Sequence, residues 1–349
     1  MKILVTGAYG MLGVNLIKEL VDREAEVVAF DCSSKIPKAL NILPIDFFKG
    51  SILKKSDLKK AIKGCDAVIH TAAMVKTWPT RSTDFNEVNV VGTENLIEIA
   101  LEAGIQKFIY VGSTSSFNFG TLKKPGTEKS PFKGFHYGLD YIDSKFYAQE
   151  LVLNAVLHSG LPALVINPTY MIGPYDTRPG SGRLLLSFYK GQLKFLPPGG
   201  KNFVHTRDVA IAIANALTIG KVGACYIAGH ENLSYNEFMQ KAAKVLKIKP
   251  YGIRLPAFLL KLVGVISHLV ANLLGRKPIL SFPVAKIACD KQYFSPQKAV
   301  RELNMPQTPI ETAMEEACDW FRTNGYCEEV SHSENTISKQ PLETANYEG

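Results

Sequence analysis

Along the first half of this 349-residue chain, short apolar runs alternate with amphipathic stretches, which predicts strand and helix in regular succession. Lys2-Ile3-Leu4-Val5 reads as a buried strand, and Val14 to Val21 sets its apolar positions at helical spacing. Glu26 to Phe30 predicts a second strand, Ile42 to Phe47 a third, Asp57 to Lys63 a helix, and Ala67 to His70 a fourth strand. Val88 to Ala103 predicts a long amphipathic helix ended by Gly104; Lys107 to Val111 follows as a strand, Tyr141 to His158 as a helix, and Ala163 to Ile166 as a sixth strand. Strands this apolar are covered on both faces, so the pattern predicts an α/β protein built on a doubly wound parallel sheet.

Beyond Pro168 the alternation breaks down. Gly173-Pro174 and Pro197-Pro198-Gly199-Gly200 interrupt helices and short strands, as in insertions that build the substrate side of a site at strand C-terminal ends. The expected organisation is residues 1–168 as a dinucleotide-binding domain to which some later segments return, 169–327 as a smaller substrate-binding region, and 328–349 as a polar, disordered tail. Pro256 to Gly275 is unusual: it is highly apolar, and its small or polar residues Lys261, Gly264, His268, Asn272 and Gly275 recur every three or four positions. Such a narrow stripe suits burial in the substrate region, a lid over apolar substrate, a homodimer contact, or a peripheral membrane contact.

The first candidate chemistry lies between the first strand and the first helix, at Thr6-Gly7-Ala8-Tyr9-Gly10-Met11-Leu12-Gly13. A strand that turns on glycines into a helix gathers unpaired backbone N–H groups at the positive end of the helix dipole, a cradle for pyrophosphate. Gly7 permits the turn, Gly10 lets phosphate approach, and Gly13 lets the helix lie close to the sheet. Asp31, closing the second strand, is placed to accept hydrogen bonds from ribose hydroxyls and to repel a 2′-phosphate, favouring NAD, while Lys35 and Lys38 keep NADP open. The net charge of +8 could point to nucleic acid, but the lysines are dispersed and no arginine cluster with interleaved aromatics occurs, so none is expected. Six cysteines without C-x-x-C spacing predict neither a metal site nor a redox pair, and with the cofactor strand at the N-terminus the cytoplasm is the expected location.

Tyr141 and Lys145 stand four apart on one face of a helix. Beside a nicotinamide, a lysine ammonium would lower the pKa of the phenol, which could then exchange a proton with a substrate oxygen. Together with the glycine turn, His70-Thr71-Ala72-Ala73, and Asn167-Pro168 through Gly173-Pro174, this pair resembles the extended short-chain dehydrogenase/reductase family over roughly residues 1–325. The resemblance implies a Rossmann fold and a catalytic set of Ser113, Tyr141 and Lys145, with Ser115 as the competing serine. It further implies cofactor contacts from Gly7, Tyr9, Gly10, Met11, Asp31, Ala72, Ala73, Tyr141, Lys145 and Pro168. Asn89 would hold the fourth strand or its neighbouring loop.

Within that family the substrate is open. Nucleotide-sugar epimerases and dehydratases commonly carry an arginine just before an aromatic-Val/Ile-His segment, where this chain has Lys201-Asn202-Phe203-Val204-His205, with Arg183 and Arg207 as partial substitutes. The segment looks more similar to relatives of dihydroflavonol reductase and 3β-hydroxysteroid dehydrogenase. That implies hydride transfer between nicotinamide and a secondary alcohol or ketone on an apolar ring system. The alternatives are nucleotide-sugar epimerisation or dehydration, and a non-catalytic dinucleotide sensor. The expected substrate contacts are Met74, Trp78, Phe117, Tyr175 and Arg183, with Phe119 and Phe188 as further pocket aromatics.

Overall fold

The computed structural model describes residues 1–327, Asn272 by its backbone alone; the expected tail at 328–349 lies outside the described residues. In chain order the first half runs β1 (Lys2–Thr6), α1 (Met11–Asp22), β2 (Glu26–Asp31), β3 (Asp46–Lys49), α2 (Lys55–Ala61), β4 (Ala67–His70), α3 (Thr83–Asn86), a π-helical turn (Glu87–Val91), α4 (Gly92–Ala103), β5 (Lys107–Val111), α5 (Asp140–Ser159) and β6 (Ala163–Pro168). The second half runs β7 (Tyr170–Ile172), α6 (Gly182–Tyr189), β8 (Phe195–Leu196), β9 (Gly200–His205), α7 (Thr206–Ile219), β10 (Cys225–Ala228), β11 (Glu231–Ser234), α8 (Tyr235–Leu246), β12 (Ile253–Arg254), α9 (Ala257–Leu274), α10 (Phe282–Ala288), β13 (Lys291–Gln292), α11 (Gln297–Leu303) and α12 (Ile310–Thr323).

Seven parallel strands form the main sheet in the order β10-β6-β5-β4-β1-β2-β3. The chain winds outward from β1 to β3, then crosses to β4 and continues the other way. This leaves a crevice between the C-terminal ends of β1 and β4, the usual ligand position in such a sheet. Alternate residues serve opposite faces: Ile3, Val5, Val27 and Ala29 are buried with α1 and α7, while Leu4, Val28, Phe30 and Val68 are buried with α4 and α5.

Two predicted elements shift. The third strand begins at Asp46, not Ile42, because Pro44 offers no N–H to a ladder and the chain turns before it. The helix expected from Val88 starts earlier, as α3 at Thr83, capped by the Ser82 side chain, and passes through the π-helical turn before continuing as α4 from Gly92. The smaller region has its own core, with Phe188, Phe203, Phe238, Met314 and Phe321 all buried, around a sheet in which β9 pairs with β7, β11 and β13. Later segments return to the main sheet: β10 completes it beside β6, and α7 packs on α1.

Candidate active site

At the crevice, Gly7 takes a left-handed φ of +69°, and a Cβ there would stand 2.6 Å from the Ala72 backbone. A Cβ on Gly13 would stand 2.4 Å from the Gly7 carbonyl oxygen, so only glycine lets α1 start this close to β1. The N-cap of α1 is Gly10, no side chain caps it, and no acidic residue occupies the first turn. The first-turn N–H groups therefore lack intrahelical acceptors and face the crevice end of the helix. Asp31 is fixed beside them: its Oδ2 accepts from Tyr9 N at 3.1 Å and its Oδ1 from Ser33 N at 2.9 Å. Free donors at a helix start beside a strand-end carboxylate fit the pyrophosphate and ribose of a dinucleotide.

The loop after β4, which carries Ala72, Ala73 and Met74, is tied down from below. Thr71 Oγ1 donates to Thr6 O at 2.7 Å. His70 is fully buried between Thr6 Oγ1 at 2.7 Å and Thr93 Oγ1 at 3.0 Å. Thr93 donates its own hydroxyl proton to Asn89 O, so it accepts from His70 Nε2, and Nδ1 accepts from Thr6. Burial, helped by the Lys145 charge, lowers the His70 pKa to about 3, which keeps the ring neutral. Asn89 sits in the π-helical turn, and that extra residue turns its amide to clasp Met74: Met74 N donates to Oδ1 at 2.7 Å, and Nδ2 donates to Met74 O at 3.1 Å.

Across the crevice, α5 presents Tyr141, Ser144, Lys145 and Gln149 along one face. The Tyr141 hydroxyl is hydrogen-bonded to the Ser113 side chain. Ser115 stands one step back, its Oγ donating to Ser113 Oγ at 2.9 Å. Asn167 holds the Ser113 backbone, donating to Ser113 O at 3.1 Å and to Gln149 Oε1 at 2.7 Å. Ser144 donates to Tyr141 O at 2.9 Å and accepts from Asn89 Nδ2 at 2.9 Å, which joins the reactive turn of α5 to the cofactor loop. Ser144 and Gln149 were not singled out from the sequence; their signal was their spacing on the Tyr141–Lys145 face.

Burial raises the Tyr141 pKa, and the hydrogen bond from Ser113 opposes the rise. Lys145 Nζ donates to Val111 O at 2.8 Å and lies 4.6 Å from the centre of the Tyr110 ring. Its own pKa is pulled by burial from 10.5 to about 7.

Thr114, Ser115, Phe117, Phe119, Tyr137 and Phe294 border a cavity of about 40 Å³ that is closed on another side by Ile287 of α10. Trp78 meets His268 of α9 edge to face, with ring centres 5.5 Å apart. Pro168 O accepts from Thr114 Oγ1 at 3.3 Å. Other expected substrate residues point elsewhere. Tyr175 accepts from Lys18 Nζ at 2.8 Å and packs on Trp320, between α1 and α12. Phe188 is fully buried and stacked on Tyr251, because the apolar face of α6 belongs to the smaller core. Arg183 is exposed, its Nε bonded to Pro179 O at 3.2 Å, and Arg207 pairs with Glu316 at 3.4 Å.

A doubly wound sheet with a glycine-lined helix start and a Tyr-x-x-x-Lys face at its crevice defines a dinucleotide-dependent enzyme of the extended short-chain dehydrogenase/reductase type. The chain belongs to the NAD dependent epimerase/dehydratase family, whose model matches residues 3–229. It is 30% identical over 92% of its length to a putative dihydroflavonol 4-reductase of Synechocystis sp., covering 95% of that protein. It is 28% identical to sterol demethylase protein B of Methylococcus capsulatus, over 93% of this chain and 99% of that one. The crystal structure of gox2253 superposes with a TM-score of 0.82 at 29% identity, covering 93% of this chain and 99% of the other. The protein is thus an NAD-dependent enzyme acting on a small molecule.

Proposed function

We propose that this protein interconverts a secondary alcohol and a ketone on an apolar, ring-containing substrate of the sterol, flavonoid or isoprenoid kind. The observation that carries this reading is the Tyr141–Ser113 hydrogen bond at the edge of a cavity walled by Phe117, Phe119, Phe294 and Ile287. NAD, when bound, supplies the acceptor or donor of hydride. Gly7, Tyr9, Gly10 and Met11 would hold its pyrophosphate, Asp31 its adenosine ribose, and Ala72, Ala73 and Pro168 would line its path. Tyr141 Oη gives a proton to, or takes one from, the substrate oxygen. Ser113 Oγ orients that oxygen, and Asn167 orients Ser113. Lys145 keeps donors free beyond its bond to Val111 O and would hold the nicotinamide ribose.

Residues 1–168 serve the cofactor and 169–327 mainly the substrate, in a cytoplasmic enzyme. Met74, Trp78 and Phe117 are the substrate contacts this reading retains. Two of the cations that a nucleotide-sugar pyrophosphate could use are engaged: Arg207 by Glu316, and Lys201 by Gln292 Oε1 at 3.0 Å and the Tyr170 ring. The test is turnover with NAD on a panel of hydroxysteroids and other cyclic secondary alcohols beside UDP- and dTDP-sugars. The reading expects NADH formation with the apolar alcohols alone; conversion of a nucleotide-sugar and of none of them would overturn it.

A further inference from the structure

Helix α9 has an apolar face with nothing among the described residues over it. Leu260, Gly264 and Ala271 are buried, while Phe258, Leu262, Ile266, Leu269, Leu273 and Leu274 are 52–86% exposed. Ile279, just beyond the helix, is fully exposed, and Ile253 and Phe195, paired across β12 and β8, extend the apolar surface at the other end. A soluble monomer rarely leaves so much contiguous apolar surface in water.

Within this stretch of chain the charges have one sign. From Ile253 to Cys289 the chain carries Arg254, Lys261, Arg276, Lys277 and Lys286 and not one Asp or Glu. The first four are exposed and make no ion pair among the described residues. Two copies meeting through this face would bring like charges together, whereas an anionic lipid surface would complement them. No helix among the described residues is long and apolar enough to cross a membrane, so the face can only lie in the interface plane.

We propose that α9 docks this enzyme, monotopically, on the surface of an anionic phospholipid bilayer. The apolar side of the helix enters the acyl boundary, and Arg254, Lys261, Arg276 and Lys277 reach headgroup phosphates. The face adjoins the cavity bordered by Ser115 and Ile142. A Cβ on Gly264 would stand 2.6 Å from the Ala285 Cβ, so α9 lies directly on α10, and α10 supplies the cavity wall at Ile287. His268 of the same helix carries the Trp78 contact. The docking stands apart from the catalytic reading and is tested without any substrate.

The full chain is sedimented with phosphatidylcholine vesicles made with or without phosphatidylglycerol, in low and high salt. Leu262→Glu and Leu269→Glu are run alongside, with thermal unfolding as a check of the fold. Both leucines are more than half exposed, so each variant should melt as the parent does. The parent is expected to partition roughly tenfold or more in favour of the anionic vesicles, less so in high salt, and each variant to stay in the supernatant. Absence of the parent from both vesicle pellets would overturn the proposal. So would a parent dimer that Leu262→Glu splits into monomers without any vesicle binding, or a large loss of melting temperature in both variants, which would mean that the face is covered by protein.

Discussion

Lys145 and His70 are both buried and both held below their ordinary pKa, so each makes the fold more stable as pH rises, over a different range. For Lys145 the folded value of about 7 lies below the ordinary 10.5. Between those values the unfolded chain holds a proton that the folded chain does not, so this group makes stability rise with pH across about 7 to 10.5. Lys145→Met should flatten that slope in unfolding measurements, and a slope unchanged in the variant would contradict the burial. His70 adds a second loss in acid, from about pH 6.5 down to 3, where only the unfolded chain takes up its proton. The ring of Tyr110 under the Lys145 ammonium was hidden in the sequence, where it read simply as a strand residue. Tyr141, Lys145 and Asp31 stand out as candidates in the sequence because each lies at a fixed local spacing from a recognisable element. Phe188 was read as a pocket aromatic because its partner, Tyr251, lies far along the chain, and no local pattern marks an aromatic as core or pocket.

The strand-to-helix turn separates stability from binding at the scale of the element. A Cβ on Gly13 runs into the carbonyl oxygens of Gly7 and Ala8 at 2.4 and 2.7 Å, whereas one on Gly10 meets nothing nearer than 3.4 Å. Gly13→Val should therefore cost about 1–3 kcal/mol in denaturant unfolding, in the range of an overpacked core. Gly10→Ala should leave unfolding nearly unchanged and weaken NAD in a fluorescence titration, because its methyl projects where phosphate approaches. Equal NAD affinity in parent and Gly10→Ala would remove this turn from the cofactor site. The π-helical turn of Asn89 is the counterexample in legibility. The helical pattern was plain from Val88 onward, but a single extra residue in the ladder, which aims the amide at Met74, leaves no mark in hydrophobic spacing.

For the whole molecule, a doubly wound parallel sheet and six of its strands were legible in the alternation, whereas the strand order and the seventh strand, β10, came only from the structure. What alternation could not reveal is how the second half returns: β10 joins β6, and Asp208 at the start of α7 accepts from Thr308 N and Oγ1 at 2.7 and 2.8 Å, closing the smaller region onto the larger. Because the cofactor crevice belongs to the folded sheet alone, NAD at a hundred times its dissociation constant should add about 2.7 kcal/mol to unfolding. NADP at the same concentration should add less, since its 2′-phosphate meets the Asp31 carboxylate. Equal stabilisation by the two, read as melting temperatures, would take Asp31 out of its assigned place.

The most direct measurement is NAD-dependent oxidation of an apolar cyclic alcohol by the parent and by Tyr141→Phe, with NAD affinity measured on both. The account predicts a loss of turnover of about 10²–10⁴-fold in the variant with NAD affinity nearly unchanged, because only the oxygen that carries the proton is removed. Near-parental turnover by Tyr141→Phe would contradict it.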